Sequence, residues 1–98
     1  MYKDIIHYKL AKGITKENLL EVALEVHDKW MKNQQGFIKW EINTNKQGGL
    51  TDIVFWESEA AAKKAEQDMG NIANAEDWFE CYEEGSITSN STTLLKGF

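Results

Sequence analysis

Ninety-eight residues, 42% hydrophobic and 28% charged, predict one small globular domain spanning residues 1–98 with enough apolar surface for a core. The formal charge is −5 and all 11 basic residues are lysine, so the arginine fork that grips phosphate in two bonds is missing, which excludes nucleic acid and anionic membrane as expected partners. Cys81 is the lone cysteine, and no signal-like or membrane-spanning run is visible; the cytoplasm is the expected location.

Along the chain, Lys3 to Leu10 alternates Ile5, His7 and Lys9 against Ile6, Tyr8 and Leu10, a strand with apolar residues on both faces. Lys12-Gly13 breaks it and Thr15 is placed to cap a helix. From Lys16 to Asn33 the period is helical. Leu19, Leu20, Val22, Ala23, Leu24, Val26, Trp30 and Met31 fill one arc, and Glu17, Glu21, Glu25, Asp28 and Lys32 the opposite one. Gly36 suits a position just past the helix end.

Phe37 to Asn45 alternates Ile38, Trp40 and Ile42 against Lys39, Glu41 and Asn43, the pattern of an edge strand with one wet face. Lys46-Gln47-Gly48-Gly49 is hairpin chemistry. Leu50 to Trp56 returns as a central strand, with Val54 and Trp56 on one face and Ile53 and Phe55 on the other. Ser58 can cap a second helix, whose stripe is Ala61, Ala62, Ala65, Met69 and Ile72. Asn74 reads as the cap of a short helix bearing Ala75, Trp78, Phe79 and Tyr82, with Cys81 off that stripe as a structural residue. Gly85 ends it, and Ser86 to Leu95 is the last strand.

The resulting βαββαβ order favours a ferredoxin-like α+β sandwich, one antiparallel sheet with both helices on one face. Helices on one side leave the apolar residues on the other uncovered. A second copy of the sheet is the simplest cover, so a homodimer is expected.

Four features together resemble the antibiotic-biosynthesis-monooxygenase-like proteins of the dimeric α/β-barrel superfamily: the element order, Gly36-Phe37 opening the second strand, the run Asp52-Ile53-Val54-Phe55-Trp56-Glu57-Ser58, and the Ala-rich start of the second helix. The resemblance spans essentially the whole chain. It implies two sheets facing each other in a dimer, a ligand cavity between sheet and helices, and a short helix carrying Trp78 and Tyr82 as a lid or rim. Members of the family include cofactor-free oxygenases of electron-rich aromatic molecules, haem-degrading enzymes and polyketide cyclases. The haem-degrading pattern is an Asn on the first strand, a Trp in the second helix and a His soon after it. This chain has Ile6 and His7 on the first strand, no Trp in the second helix and no His beyond position 27. No haem or other cofactor is therefore implied, and the Arg that quinol oxygenases often carry is absent.

His7 and His27 are the candidate proton-transfer groups, since imidazole changes charge near neutral pH. The alternative for His7 is a sheet histidine bonded to a neighbouring strand. For His27, inside the apolar arc, a core tyrosine or a backbone carbonyl could serve as its partner as well as a ligand could. Two histidines without a carboxylate at ligand spacing do not make a metal site. Asp52 shares parity with Val54 and Trp56 and could orient a histidine or take a proton, or lie at a strand end in solvent. Trp30, Trp56, Trp78, Tyr8 and Tyr82, with Trp40, Phe55 and Phe79, could wall a cavity for a small aromatic or apolar ligand, though many aromatics at these spacings are core. Two readings follow: a cofactor-independent monooxygenase-like or cyclase-like enzyme with a histidine in its cavity, or a non-catalytic homodimer that binds a small ligand or serves in stress.

Overall fold

A computed structural model of the chain describes residues 1–98 and gives the element order β1 (Tyr2–Tyr8), α1 (Lys16–Lys29), β2 (Phe37–Thr44), β3 (Leu50–Trp56), α2 (Glu59–Gln67), α3 (Ala75–Glu80) and β4 (Thr88–Thr93). The strands form one antiparallel sheet in the order β2-β3-β1-β4, the ferredoxin-like α+β arrangement that the element order predicts.

Local chemistry sets the boundaries. Thr15 and Asn18 form a reciprocal capping box at the start of α1, and Ser58 Oγ accepts from the Ala61 N–H to start α2. The predicted first helix is shorter than its apolar period: Trp30 leaves helical geometry and a 3₁₀ turn, Met31–Asn33, follows. Asn74 takes the N-cap position of α3 as expected, but without a side-chain capping bond. Its side chain donates to the Val22 carbonyl at 3.2 Å and ties α3 to α1 instead. Gly36 has φ +83°, and a Cβ there would come within 2.6 Å of the Ala61 Cβ. Glycine is thus required twice over, by backbone sign and by the closeness of α2.

Register fixes the two faces. On β1 and β3, Tyr2, Asp4, Ile6 and Tyr8 stand opposite Trp56, Val54, Asp52 and Leu50, and all of these side chains face the helices. On β2 a bulge between Phe37 and Lys39 places Phe37 with Trp40 and Ile42 on that face. The simple alternation fails there: Ile38, expected beside Trp40, is turned out and exposed. Under the helices lie two clusters. Val26, Trp30, Met31, Val54, Trp56 and Trp78 centre one, and Tyr8, Leu19, Leu50 and Cys81 form the other.

Three expectations change in this packing. Leu20 and Leu24, placed in the apolar arc of α1, are exposed, so the buried stripe is narrower and runs through Leu19, Ala23 and Val26. Cys81, expected off the stripe of α3, is 2% exposed, and its Sγ lies 3.3 Å from the Asp77 carbonyl. Phe79 is the exposed one, stacked on Trp78.

Candidate functional site

A cavity of about 310 Å³ lies between the sheet and the helices. Its size falls at the lower end of the range for small-ligand sites. All four tryptophans of the sequence, Trp30, Trp40, Trp56 and Trp78, line it, together with Asp4 and Asp52. Period-2 geometry delivers Asp4, Asp52, Val54 and Trp56 to this wall; α1 ends at Trp30, and α3 brings in Trp78. Ala62 and Ala65 of α2 form part of the opposite side, where small residues leave the volume open. A second recess of about 490 Å³ runs past residues 33–35 and α2, but its lining is mainly polar and open to solvent, with no aromatic side chain.

Asp52 is the centre of a buried hydrogen-bond triad. Tyr8 Oη donates to its Oδ1 at 2.8 Å, and Trp40 Nε1 donates to its Oδ2 at 3.1 Å. The carboxyl is 2% exposed, and burial pushes its pKa up to about 6 against the pull of both donors. Burial, reinforced by the Asp52 charge, raises the Tyr8 and Tyr82 phenols well above their ordinary values, so both stay protonated. Asp4, one register step along β1, is also raised, by burial first and by the nearby Glu66 charge in addition. Both Asp4 and Glu66 line the cavity.

The indole N–H groups divide into two pairs. Trp40 is bound to Asp52, and Trp30 donates to Asp68 Oδ2 at 2.8 Å. Asp68 also accepts from Asn71 and Gln34, and these bonds, that of Asn71 foremost, hold its carboxyl below the usual range. Trp56 Nε1 and Trp78 Nε1 are buried and have no hydrogen-bond partner in the protein. Trp56 Nε1 lies near enough to Asp4 to favour its charged form, and Trp78 Nε1 near enough to Tyr82 to do likewise, without either completing a bond.

Of the residues singled out in the sequence, Trp30, Trp40, Asp52, Trp56 and Trp78 meet at the cavity. Tyr8 and Tyr82 stand behind it, their rings 4.4 Å apart edge to face, and act on it through Asp52 and Trp78. Neither histidine enters. His7 has the opposite parity on β1; it projects from the uncovered face, exposed, with Nδ1 2.7 Å from Thr51 Oγ1. His27, expected in the apolar arc, lies at its margin near the helix end, half-exposed, with Nδ1 2.9 Å from Asp28 Oδ1 and its ring edge-on to Phe37. The expected histidine in the cavity is replaced by a carboxyl.

Sequence reasoning missed Asp4, Glu66 and Asp68. Asp4 was accessible, since it shares parity with Ile6 and Tyr8; Asp68 depends on the turn after α2 and gave no signal. No three His, Cys, Asp or Glu side chains come together in a way that could hold a metal ion, and no helix is long and apolar enough to cross a membrane.

No protein-family model matches the sequence, and no curated protein matches it either. Solved structures do. SnoaB, a cofactor-independent oxygenase from Streptomyces nogalater, superposes with a TM-score of 0.76 over 98% of this chain and 94% of that one, at 11% identity. The chain has the ferredoxin-like fold of these proteins. A monooxygenase from the ActVA-Orf6 gene of Streptomyces coelicolor, in complex with nanaomycin D, matches with a TM-score of 0.74 over 99% of this chain and 89% of that one, at 15% identity. MhuD, in a mutant form with two manganese protoporphyrin IX molecules per active site, also gives 0.74, over 100% of this chain and 98% of that one, at 14% identity. At such identities the likeness establishes the architecture, and the site must be argued from its own residues.

Proposed function

We propose that the chain is a homodimeric enzyme that takes a small aromatic molecule into the sheet–helix cavity and oxygenates or cyclises it without a bound cofactor. The observation that carries this reading is a buried carboxyl, Asp52, raised to about 6 on the wall of an indole-lined cavity. A base of that strength suits removal of a ring-hydroxyl proton near neutral pH. After accepting from Tyr8 and Trp40, each Asp52 oxygen still has a lone pair for the incoming proton. The anion left behind is electron-rich, able to react with dioxygen as co-substrate or to close a ring on a neighbouring carbonyl. The cofactor-independent oxygenase SnoaB and the nanaomycin D complex, sharing the fold, support the reaction class and the aromatic ligand. Porphyrin fits less well: three carboxylates, Asp4, Asp52 and Glu66, would face its propionates and no histidine lines the cavity.

The second copy would cover the open face, where Ile5, Ile53 and Phe55 form a half-buried apolar centre. A monomer at micromolar concentration by sedimentation would remove the dimer from the reading. A non-catalytic ligand-binding protein is the second reading, favoured by the fact that both Asp52 oxygens already have partners within the chain.

Dioxygen uptake and product mass, measured with a panel of hydroquinones and phenols, separate the two. Turnover is expected in the native chain and should fall by roughly a hundredfold or more in Asp52→Asn, with binding retained. Binding without turnover across the panel would establish the second reading. Full turnover by Asp52→Asn would take the base away from Asp52.

A further inference from the structure

We infer that the cavity selects an organic cation, an aromatic amine whose ammonium group lies against Asp4 and Glu66 and whose ring hydroxyl faces Asp52 among the four indoles. The inference rests on the reading of this cavity as the ligand site and adds the charge of the ligand.

The lining holds three carboxylates and no lysine, arginine or histidine. A carboxylate taken out of water costs several kcal/mol unless a cation or a full set of donors meets it. Within the chain no cation does so. Its lysine–carboxylate pairs are Lys29–Glu25, Lys39–Glu41 and Lys63–Glu59, and none includes a cavity acid. The lysines of the sheet, Lys3 and Lys39, lie on its opposite face over Phe55. Burial first, and the Glu66 charge in addition, raise Asp4, and a bound ammonium between these two carboxyls would reverse that shift.

Two further features point to the same class. Tryptophan presents the most electron-rich ring face of any side chain, and four of them line this one cavity, a lining that suits a cation better than an aliphatic one would. Trp56 and Trp78, 3% and 8% exposed, each leave an N–H without an acceptor. A buried donor of this kind takes an oxygen when one is offered. The matching ligand is an aromatic ring with a protonated amine at one end and a hydroxyl or carbonyl oxygen at the other.

Three probes share one phenol ring and differ in charge: tyramine, tyrosol and 4-hydroxyphenylacetate, titrated calorimetrically at about pH 7.5, where the first is a cation and the last an anion. Tyramine is expected to bind roughly tenfold tighter than tyrosol, and 4-hydroxyphenylacetate weakest of all. Glu66→Gln, at an exposed position on the cavity wall, should narrow the tyramine–tyrosol gap, and Asp4→Asn should narrow it further. The double variant Glu17→Gln/Glu21→Gln, which lowers the negative charge on the outer face of α1, should leave the gap unchanged. Tyrosol binding as tightly as tyramine would overturn the cation inference while keeping the cavity as a ligand site. Equal loss of the gap in the α1 variant would also overturn it, by assigning the preference to the surface field. Failure of all three probes to bind would overturn it together with the aromatic-ligand reading beneath it.

Discussion

On the helix side of β3, Leu50, Asp52, Val54 and Trp56 are buried; on the other side Thr51, Ile53 and Phe55 stay half-exposed. The open face settles its polar groups locally. His7 meets Thr51, and Phe55 lies under Lys39 and Lys3, whose ammonium groups are 4.5 and 5.5 Å from the ring centroid. The covered face leaves its polar groups in tension: raised carboxyls without a cation and indole N–H groups without acceptors. A face optimised for stability alone would not keep both. Chemistry that stability does not explain is concentrated on one side of a single sheet, the side with the cavity.

The largest test of that division compares neighbours on one strand. Trp56→Ala, on the covered face, should cost about 3–5 kcal/mol in urea unfolding. Phe55→Ala should cost about 1 kcal/mol in the chain itself and should erase any dependence of the unfolding midpoint on protein concentration. Equal costs would dissolve the distinction between the faces.

The second test uses pH. Asp52 is raised in the folded state, so its contribution to stability is present in full below about pH 4 and is lost as pH rises through about 6. The loss amounts to at most about 3 kcal/mol. Asp52→Asn should remove that part of the slope between pH 4 and 7, since an amide can accept from Trp40 and donate to the Tyr8 oxygen. A slope identical in both proteins would mean that another group titrates there. The smallest effect belongs to the open face, where Lys39→Gln should cost only about 0.5 kcal/mol at this exposed cation–ring contact.

Much of this division was legible in the sequence. Strand parity put Asp52 with Val54 and Trp56, and the alanine stripe put Ala62 and Ala65 on the covered side of α2. What misled was the assumption of unbroken periods. The bulge at Phe37–Lys39 reversed Ile38, and the early end of α1 turned Trp30 toward Asp68. The histidines drew attention because their unperturbed pKa lies near neutrality. The group that approaches that range from within the cavity is an ordinary carboxyl, and only burial, a tertiary property, moves it there. His7 was one residue out of phase with the wall that matters; reading Asp4, Ile6 and Tyr8 as one series would have shown it.

The gathering of all four tryptophans around one cavity has an optical consequence. The tryptophan emission of this protein has a single origin in space, with no distant indole to dilute it. A molecule entering the cavity meets every tryptophan emitter at once, so quenching or a spectral shift reports occupancy without a label. Filling and emptying of the cavity can then be timed by stopped flow in the native chain, and the fluorophores are themselves its walls.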